Sequence, residues 1–213
     1  MQLIDESAVL WSAPEAERAG RPLLVLLHGY GSHEGDLFGL APHLPLQPVI
    51  AALRAPLRAG PGYAWYGLDG ATNESRLQGA DAAARGVLQW LDGVQATSVG
   101  LLGFSQGGAM SIHLLRHAPE RFAFAVSLAG FVVPGEAPAD ARLAALAPPV
   151  FWGRGTHDAV IPDSFVEATQ RWLPHHATLT ERIYEGLGHA VSEDELADVL
   201  AFLRPHYAPA PAE

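Results

Sequence analysis

A serine framed by glycines is the residue of this chain best placed to do chemistry. The run Gly103-Phe104-Ser105-Gln106-Gly107 follows an apolar strand pattern and opens a helical one. A strand–turn–helix with this spacing forces the serine into a strained backbone state and exposes its hydroxyl above the sheet. The glycines are needed because side chains at those positions would collide where strand and helix close together. The alternative is an ordinary glycine-rich turn with no catalytic role, but the position of Ser105 between strand and helix favours a nucleophile.

A base and an acid are expected further along the chain, because a serine hydroxyl is a weak nucleophile on its own. Asp158 lies in the loop RGTHDAVIP after the strand pattern PVFWG, and His189 lies in the glycine-flanked loop EGLGHAVSEDEL. Both loops follow strands of a predicted parallel sheet, so they emerge at the same edge as Ser105. The order serine, acid, histidine predicts Ser105 as nucleophile, His189 as base and Asp158 as the orienting acid.

Two nearby groups are weaker candidates for these roles. Asp163 stands at the start of a helical pattern, where a negative charge is favourable for a structural reason. His157 adjoins Asp158 in the chain, so its side chain would point elsewhere. We therefore keep Asp158 and His189 as the partners of the serine.

No metal or other cofactor is predicted. His113 and His117 have a helical spacing that could bind a metal ion, but the segment HLLRH lacks the glutamate of the zinc-protease motif. We interpret this pair as a helix face. His33, Glu34 and Asp36 are interpreted as a charge group at the start of a helix.

Two backbone amides are predicted to form an oxyanion hole. One is the N–H of Gln106, directly after the nucleophile. The other is the N–H of Tyr30, in the glycine-flanked run HGYG at 28–31, where the backbone can approach closely. His28 is interpreted as a structural histidine that holds this loop.

Aromatic residues are the candidates for a substrate-binding wall. Tyr63, Trp65 and Tyr66 lie in the segment Ala55–Gly70, which is rich in glycine, proline and aromatics and is predicted to be an ordered loop, and Phe131 follows a strand. Packing in the core or loop is the alternative explanation for all four side chains.

Alternating strand and helix patterns predict a single α/β domain with a mostly parallel sheet of about seven strands, flanked by helices on both faces. Runs such as LLVLL are apolar on both faces, as in a sheet that is covered on both sides. The predicted strands are Leu3–Leu10, Pro22–His28, Pro48–Leu53, Ser98–Phe104, Ala123–Ala129, Val150–Gly153 and Thr178–Tyr184. The predicted helices are Gly35–His43, Asn73–Leu91, Gln106–His117, Ala139–Ala147, Asp163–Leu173 and Glu193–Leu203.

Finer features of these elements are also predicted. Asn73 and Ser192 are candidate helix N-caps, and Ser192 with Glu195 has the capping-box spacing. The last strand alternates in polarity and is expected near an edge of the sheet. Residues 205–213, which begin with a proline, are expected to fray.

Composition limits the class of protein. The chain has 213 residues, of which 49% are hydrophobic, so one domain with a sizeable core is expected. A net charge of −10 disfavours nucleic acid as a partner, and the absence of cysteine excludes disulfides and a thiol nucleophile. The N-terminus is acidic, and the longest apolar run, 122–133, is too short to span a membrane. We expect a cytoplasmic protein without membrane insertion.

Four segments together resemble the phospholipase/carboxylesterase family of α/β-hydrolases. They are LLHGYGSHEGDL (26–37), GFSQGG (103–108), GTHDAVIP (155–162) and GLGHAVSEDEL (186–196). The resemblance covers residues 22–203 and implies a Ser105–Asp158–His189 triad, an oxyanion hole at Tyr30 and Gln106, no cofactor and, for many members, a homodimer.

The resemblance implies a carboxylesterase that acts on a small-molecule acyl ester. The chain is compact and has no room for a cap domain, so short- to medium-chain acyl groups are expected. An acyl thioesterase or lysophospholipase would use the same triad, and only the pocket would distinguish them. A non-catalytic scaffold that binds a ligand is the remaining alternative.

Overall fold

A seven-stranded sheet runs through the computed structural model, which describes residues 3–68 and 70–207. The strands are β1 (Leu10–Trp11), β2 (Arg21–Leu27), β3 (Val49–Leu53), β4 (Leu57–Ala59), β5 (Gly62–Ala64), β6 (Ala96–Phe104), β7 (Phe124–Leu128), β8 (Pro149–Gly155) and β9 (Thr178–Tyr184). The strand order of the sheet is β1-β3-β2-β6-β7-β8-β9, and β4 and β5 form a separate hairpin. Within the seven-stranded sheet only β1 is antiparallel to its neighbour, so the predicted α/β class and mostly parallel sheet are confirmed.

Helices cover both faces of this sheet. The helices are α1 (Gly35–Phe38), α2 (Asn73–Asp92), α3 (Gln106–Leu115), α4 (Asp140–Leu146), α5 (Asp163–Trp172) and α6 (Glu193–Tyr207). Along β2, Val25 and Leu27 point into a core with α2 and α3, whereas Leu24 and Leu26 point into a second core with α1 and α6. This two-sided burial explains why the strand is a continuous apolar run. None of the helices in the described residues is long and apolar enough to cross a bilayer.

The predicted first strand, Leu3–Leu10, is wrong over most of its length. Asp5 caps a 3₁₀ turn at Glu6–Ala8 by accepting the Ser7 amide, and this local bond competes with strand pairing. Only Leu10–Trp11 joins the sheet. The other six predicted strands correspond to β2, β3, β6, β7, β8 and β9, whose ends lie within two residues of the predicted bounds, and β9 lies at the sheet edge as expected.

Two features predicted at helix ends need correction. The helix expected over 35–43 ends at Phe38, and a separate 3₁₀ turn with a proline follows at Ala41–His43. Thr72, one residue before the predicted Asn73, caps α2 by accepting the Ser75 amide.

The last helix continues through Pro205, contrary to the expected fraying there. Leu203 and Tyr207 are buried in the core shared with α1, and this packing holds the final turn despite the lost N–H. Residues 208–213, the remainder of the predicted tail, lie outside the described residues.

The segment Ala55–Gly70 contains the β4–β5 hairpin, which the sequence did not predict. Tyr63 forms an antiparallel β-bridge with Ser32. The Tyr63 amide donates to the Ser32 carbonyl, and the Gly31 amide donates to the Tyr63 carbonyl, each at 2.8 Å. The hairpin therefore fastens the loop after β2. Asp69, within the predicted loop, lies outside the described residues.

A buried carboxyl group lies at the start of α6. Glu195 is 1% exposed, and its Oε1 has no hydrogen-bond partner in the described part of the chain. Its amide donates to Ser192 Oγ at 3.1 Å, which confirms the Ser192 cap. Burial, together with the nearby charge of Asp198, raises the pKa of Glu195 to about 7, although a hydrogen bond from the Ser192 backbone opposes this shift. The fold therefore disfavours the ionised form of this side chain.

We expect this burial to make stability fall as pH rises. The folded-state pKa lies above the ordinary 4.5, so the free energy of unfolding is highest below that pH and declines until about pH 7. At about 1.36 kcal/mol per pKa unit, the decline attributable to Glu195 is about 3 kcal/mol. Urea unfolding of Glu195→Gln at several pH values should lack this decline, whereas Glu193→Gln at an exposed position should retain it. Equal pH dependence in both variants would contradict the assignment.

Candidate active site

Ser105 occupies a strained turn between β6 and α3. Its backbone has φ 55° and ψ −117°, a conformation that a non-glycine residue rarely adopts. A Cβ on Gly103 would collide with the backbone of Gly107, and a Cβ on Gly107 would collide with that of Leu27. The turn is held by the Ser105 amide, which donates to the Leu128 carbonyl at 2.8 Å. The predicted strain and the predicted need for both glycines are therefore confirmed.

The structure joins three of the predicted residues in one hydrogen-bonded chain. Ser105 Oγ lies 2.8 Å from His189 Nε2, and His189 Nδ1 lies 2.7 Å from Asp158 Oδ2. The three residues come from the loops after β6, β8 and β9, which open at the same sheet edge. The ring of Phe104 packs against the imidazole with 4.9 Å between centroids. The distances suit proton transfer from the serine to the imidazole.

The carboxylate determines which ring nitrogen carries the proton. An ionised Asp158 only accepts, so His189 Nδ1–H must donate to it, and a neutral ring then leaves Nε2 free to accept the Ser105 hydroxyl. Burial raises the pKa of Asp158, but hydrogen bonds from His189 and from the amides of Ile161 and Val160 outweigh it and lower the pKa overall. The carboxylate therefore remains ionised as the histidine requires.

Two backbone amides without an acceptor in the described residues belong to residues at the cleft. Tyr30 and Gln106 both line the cleft beside Ser105, and in the described residues neither backbone N–H donates to another group. The first N–H groups of a helix have no partner within it, which explains the free Gln106 amide. Gly31, at φ 76°, turns the chain directly after Tyr30. The pair can receive a developing negative charge on a substrate oxygen.

His28 holds the loop that carries Tyr30, as predicted. Its Nδ1–H donates to the Gly29 carbonyl at 2.8 Å, and its Nε2 accepts the Ala55 amide at 3.1 Å. Burial lowers the pKa of His28, and the neutral ring suits both bonds. The residue has a structural role.

The side chain of Gln106 has a second role that sequence reasoning missed. Its Oε1 accepts the Trp65 amide at 2.9 Å, and its Nε2 donates to the Tyr66 carbonyl at 2.7 Å. The residue after the nucleophile is thus joined to the chain that follows the hairpin. The only sign of this role in the sequence was the amide side chain of Gln106, at a position where the Gly-x-Ser-x-Gly motif accepts any residue.

A cleft of about 490 Å³ opens over Ser105 and His189. Phe131 lines it and packs on Phe165, with 5.0 Å between ring centroids, and Ile161 adds apolar surface. Phe165, on α5, was not predicted, because nothing in a helical pattern shows which face meets the loops. The cleft combines an apolar wall with the two free amides.

The other three predicted wall residues do not line this cleft. Trp65 and Tyr66 are fully buried, and Trp65 Nε1–H donates to the His28 carbonyl at 2.9 Å. The ring of Tyr63 contacts the guanidinium groups of Arg54 and Arg58 instead. These aromatics pack the base of the hairpin, which is the alternative that the sequence left open.

The rejected candidates lie as expected. Asp163 begins α5, and His157 Nδ1 contacts the Thr156 hydroxyl at 3.2 Å rather than the serine. Glu34 pairs with Arg54, and Asp36 accepts the Ser32 hydroxyl, so these carboxylates serve different partners.

This chain is similar to known esterases and thioesterases. Residues 12–207 match the family model described as Phospholipase/Carboxylesterase. Acyl-protein thioesterase 1 of Eremothecium gossypii is 28% identical over 217 residues, which cover 88% of this chain and 91% of that protein. Esterase YpfH of Escherichia coli K12 is 27% identical, covering 88% of this chain and 84% of that protein. The crystal structure of esterase PE8 has a TM-score of 0.75 and 29% identity, covering 95% of this chain and 99% of that one.

Proposed function

The chain belongs to the phospholipase/carboxylesterase family of α/β-hydrolases, and from this membership we propose that it cleaves acyl esters through a covalent intermediate on Ser105. Esterase and thioesterase relatives make it an enzyme of the serine-hydrolase type. The observation that carries the proposal is the hydrogen-bonded chain from Ser105 through His189 to Asp158.

Acylation begins when Ser105 Oγ attacks the ester carbonyl and His189 Nε2 takes its proton. Asp158 stabilises the imidazolium and keeps the ring oriented. The carbonyl oxygen becomes negatively charged and accepts hydrogen bonds from the Tyr30 and Gln106 amides, each of which is worth about 2.7–4 kcal/mol in comparable sites. His189 then gives its proton to the departing alcohol, which leaves an acyl group on Ser105.

Deacylation repeats these steps with water. His189 removes a proton from the water as it attacks the acyl carbon, and the same two amides stabilise the second oxyanion. The carbon–Oγ bond breaks, Ser105 recovers its proton from His189, and the carboxylic acid departs. No cofactor takes part in this scheme.

Short- to medium-chain acyl esters are the proposed substrates. The cleft of about 490 Å³ is of the size that holds small molecules, and the Phe131–Phe165 pair offers an apolar surface to an acyl chain. Between β7 and β8 the only helix is the seven-residue α4, so no cap covers the cleft from that connection.

Hydrolysis of p-nitrophenyl esters from acetate to palmitate tests this preference. We expect kcat/KM to rise with chain length at first, because each buried methylene adds about 0.8 kcal/mol, roughly fourfold, and to fall once the cleft is full. Phe131→Ala, which enlarges the cleft, should move the maximum towards longer chains. A maximum at palmitate in the wild type would contradict the proposed chain length while leaving ester hydrolysis intact.

Acyl thioester hydrolysis is the second candidate. It is favoured by the similarity to acyl-protein thioesterase 1 across most of both chains. The same residues would act, so matched oxyester and thioester substrates with one acyl group are needed to separate the two. A larger kcat/KM for the thioester after correction for its better leaving group would favour this candidate. Cytoplasmic location and homodimer formation stay predictions from the sequence.

A further inference from the structure

His113 of α3, His117 of the turn that follows α3 and Asp81 of α2 meet at a single carboxylate oxygen. His113 Nε2 lies 2.8 Å and His117 Nε2 lies 2.9 Å from Asp81 Oδ1. His113 lies in the last turn of α3, and the turn after the helix brings His117, four residues later, to the same carboxylate. Their ring centroids are 4.8 Å apart, with one ring edge towards the other. The HLLRH spacing alone indicated a helix face, but the fold adds a third donor that lies 32 residues away in sequence.

This cluster is not a solvated helix face. The side chain of His113 is fully buried and that of His117 is 7% exposed, whereas Asp81 is 25% exposed. His113 Nδ1 has no hydrogen-bond partner in the described residues. The site therefore lies between two packed helices and opens to solvent on the side of Asp81.

We propose that Asp81, His113 and His117 form a binding site for a divalent transition-metal ion, with Zn²⁺ as the best match. The donor atoms all lie within 4.8 Å of one another. Zinc holds nitrogen and oxygen ligands at about 2.0–2.2 Å in a tetrahedron, which separates neighbouring ligands by roughly 3.3 Å. For an ion to take the central position, the two contacts to Asp81 must lengthen by about 0.5 Å, and the wider separation of up to 4.8 Å must close towards the same roughly 3.3 Å.

The donor set selects the class of ion. Imidazole nitrogens suit zinc, copper and nickel, whereas calcium and magnesium prefer oxygen ligands. In the absence of an ion each Nε2–H donates to Asp81, so binding an ion through Nε2 requires a neutral ring to move this proton to Nδ1. One carboxylate leaves the bound site with a net positive charge, and a water molecule completes the fourth position on the exposed side of Asp81.

The ion would join α2 to α3 rather than take part in ester cleavage. His113 is eight residues beyond Ser105 along α3, about 12 Å at 1.5 Å per residue. Binding to the folded chain alone raises its stability by mass action. This proposal is independent of the proposed esterase activity.

Titration of the chelator-treated full chain with ZnCl₂ tests the site. Calorimetry should give one ion per chain, and a concentration of a hundred times Kd should raise Tm by about 5–10 °C. Asp81→Asn and His117→Gln should lose both effects, and His43→Gln, at an exposed position, should retain them. Absence of saturable binding below roughly millimolar Zn²⁺, or binding unchanged in both site variants, would overturn the proposal.

A spectroscopic readout keeps the test decisive if a variant fails to fold. Co²⁺ bound to the wild-type chain should give the visible absorption of a four-coordinate site with nitrogen and oxygen ligands, and Zn²⁺ should displace it. In NMR spectra, the imidazole resonances of His113 and His117 should shift on Zn²⁺ addition. Shifts confined to other histidines would mean that the cluster binds no Zn²⁺ and is held by its hydrogen bonds alone.

Discussion

Replacing Ser105 with alanine is expected to abolish ester hydrolysis, with kcat lower by roughly 10⁴- to 10⁶-fold, since members of such a triad act as a unit. Only the hydroxyl group is lost. Its partner His189 Nε2, which lies 2.8 Å from Ser105 Oγ in the wild type, keeps its place. Alanine also suits the strained turn no worse than serine. Steady-state kinetics on a p-nitrophenyl ester, together with circular dichroism of the variant, measure the effect.

Ser111→Ala is the matched control for this variant. Ser111 lies on α3, the helix that begins directly after Ser105. Its hydroxyl donates to the Gly107 carbonyl at 3.1 Å, away from the cleft. We expect its kcat to remain close to that of the wild type. Activity of Ser105→Ala within about tenfold of the wild type would remove Ser105 from the mechanism.

Asp158→Asn is expected to lower kcat by roughly 10⁴-fold without unfolding the protein. An asparagine amide can donate to His189 Nδ1, and the imidazole proton then moves to Nε2. In that tautomer the ring can no longer accept the Ser105 proton, although the residues lie in the same places. The pH-dependence of kcat and a thermal melt separate this effect from a loss of structure.

Asp163→Asn provides the comparison for the acid. Asp163 begins α5 and interacts with its N-terminus, so its replacement should cost only about 0.3–1 kcal/mol of stability and little activity. If Asp163→Asn were the more damaging of the two for kcat, the orienting acid would have been assigned to the wrong residue.

Features that depend on local sequence were predicted well. The run GFSQGG required a sharp turn, because glycine alone fits where β6 and α3 approach, and Ser105 has the expected positive φ. The order of Ser105, Asp158 and His189 indicated three loops at one sheet edge, and the structure hydrogen-bonds them. Continuous apolar runs indicated a sheet covered on both faces, and both faces carry a core.

Features that depend on distant partners were not predictable in this way. Trp65 and Tyr66 lie in the core, where Gln106, about 40 residues later, hydrogen-bonds their backbone. Phe165 reaches the cleft only through the packing of α5. Asp81 completes the histidine cluster because α2 packs beside α3, and no spacing in the chain relates these elements.

The central claim is that Ser105 is an activated nucleophile, and covalent labelling tests it most directly. A fluorophosphonate should add one phosphonyl group per folded chain, with loss of fluoride, and peptide mass mapping should place it on Ser105. Ser105→Ala should carry no adduct under the same conditions. A folded wild-type chain that remains unlabelled, or a variant labelled to the same extent, would contradict the account.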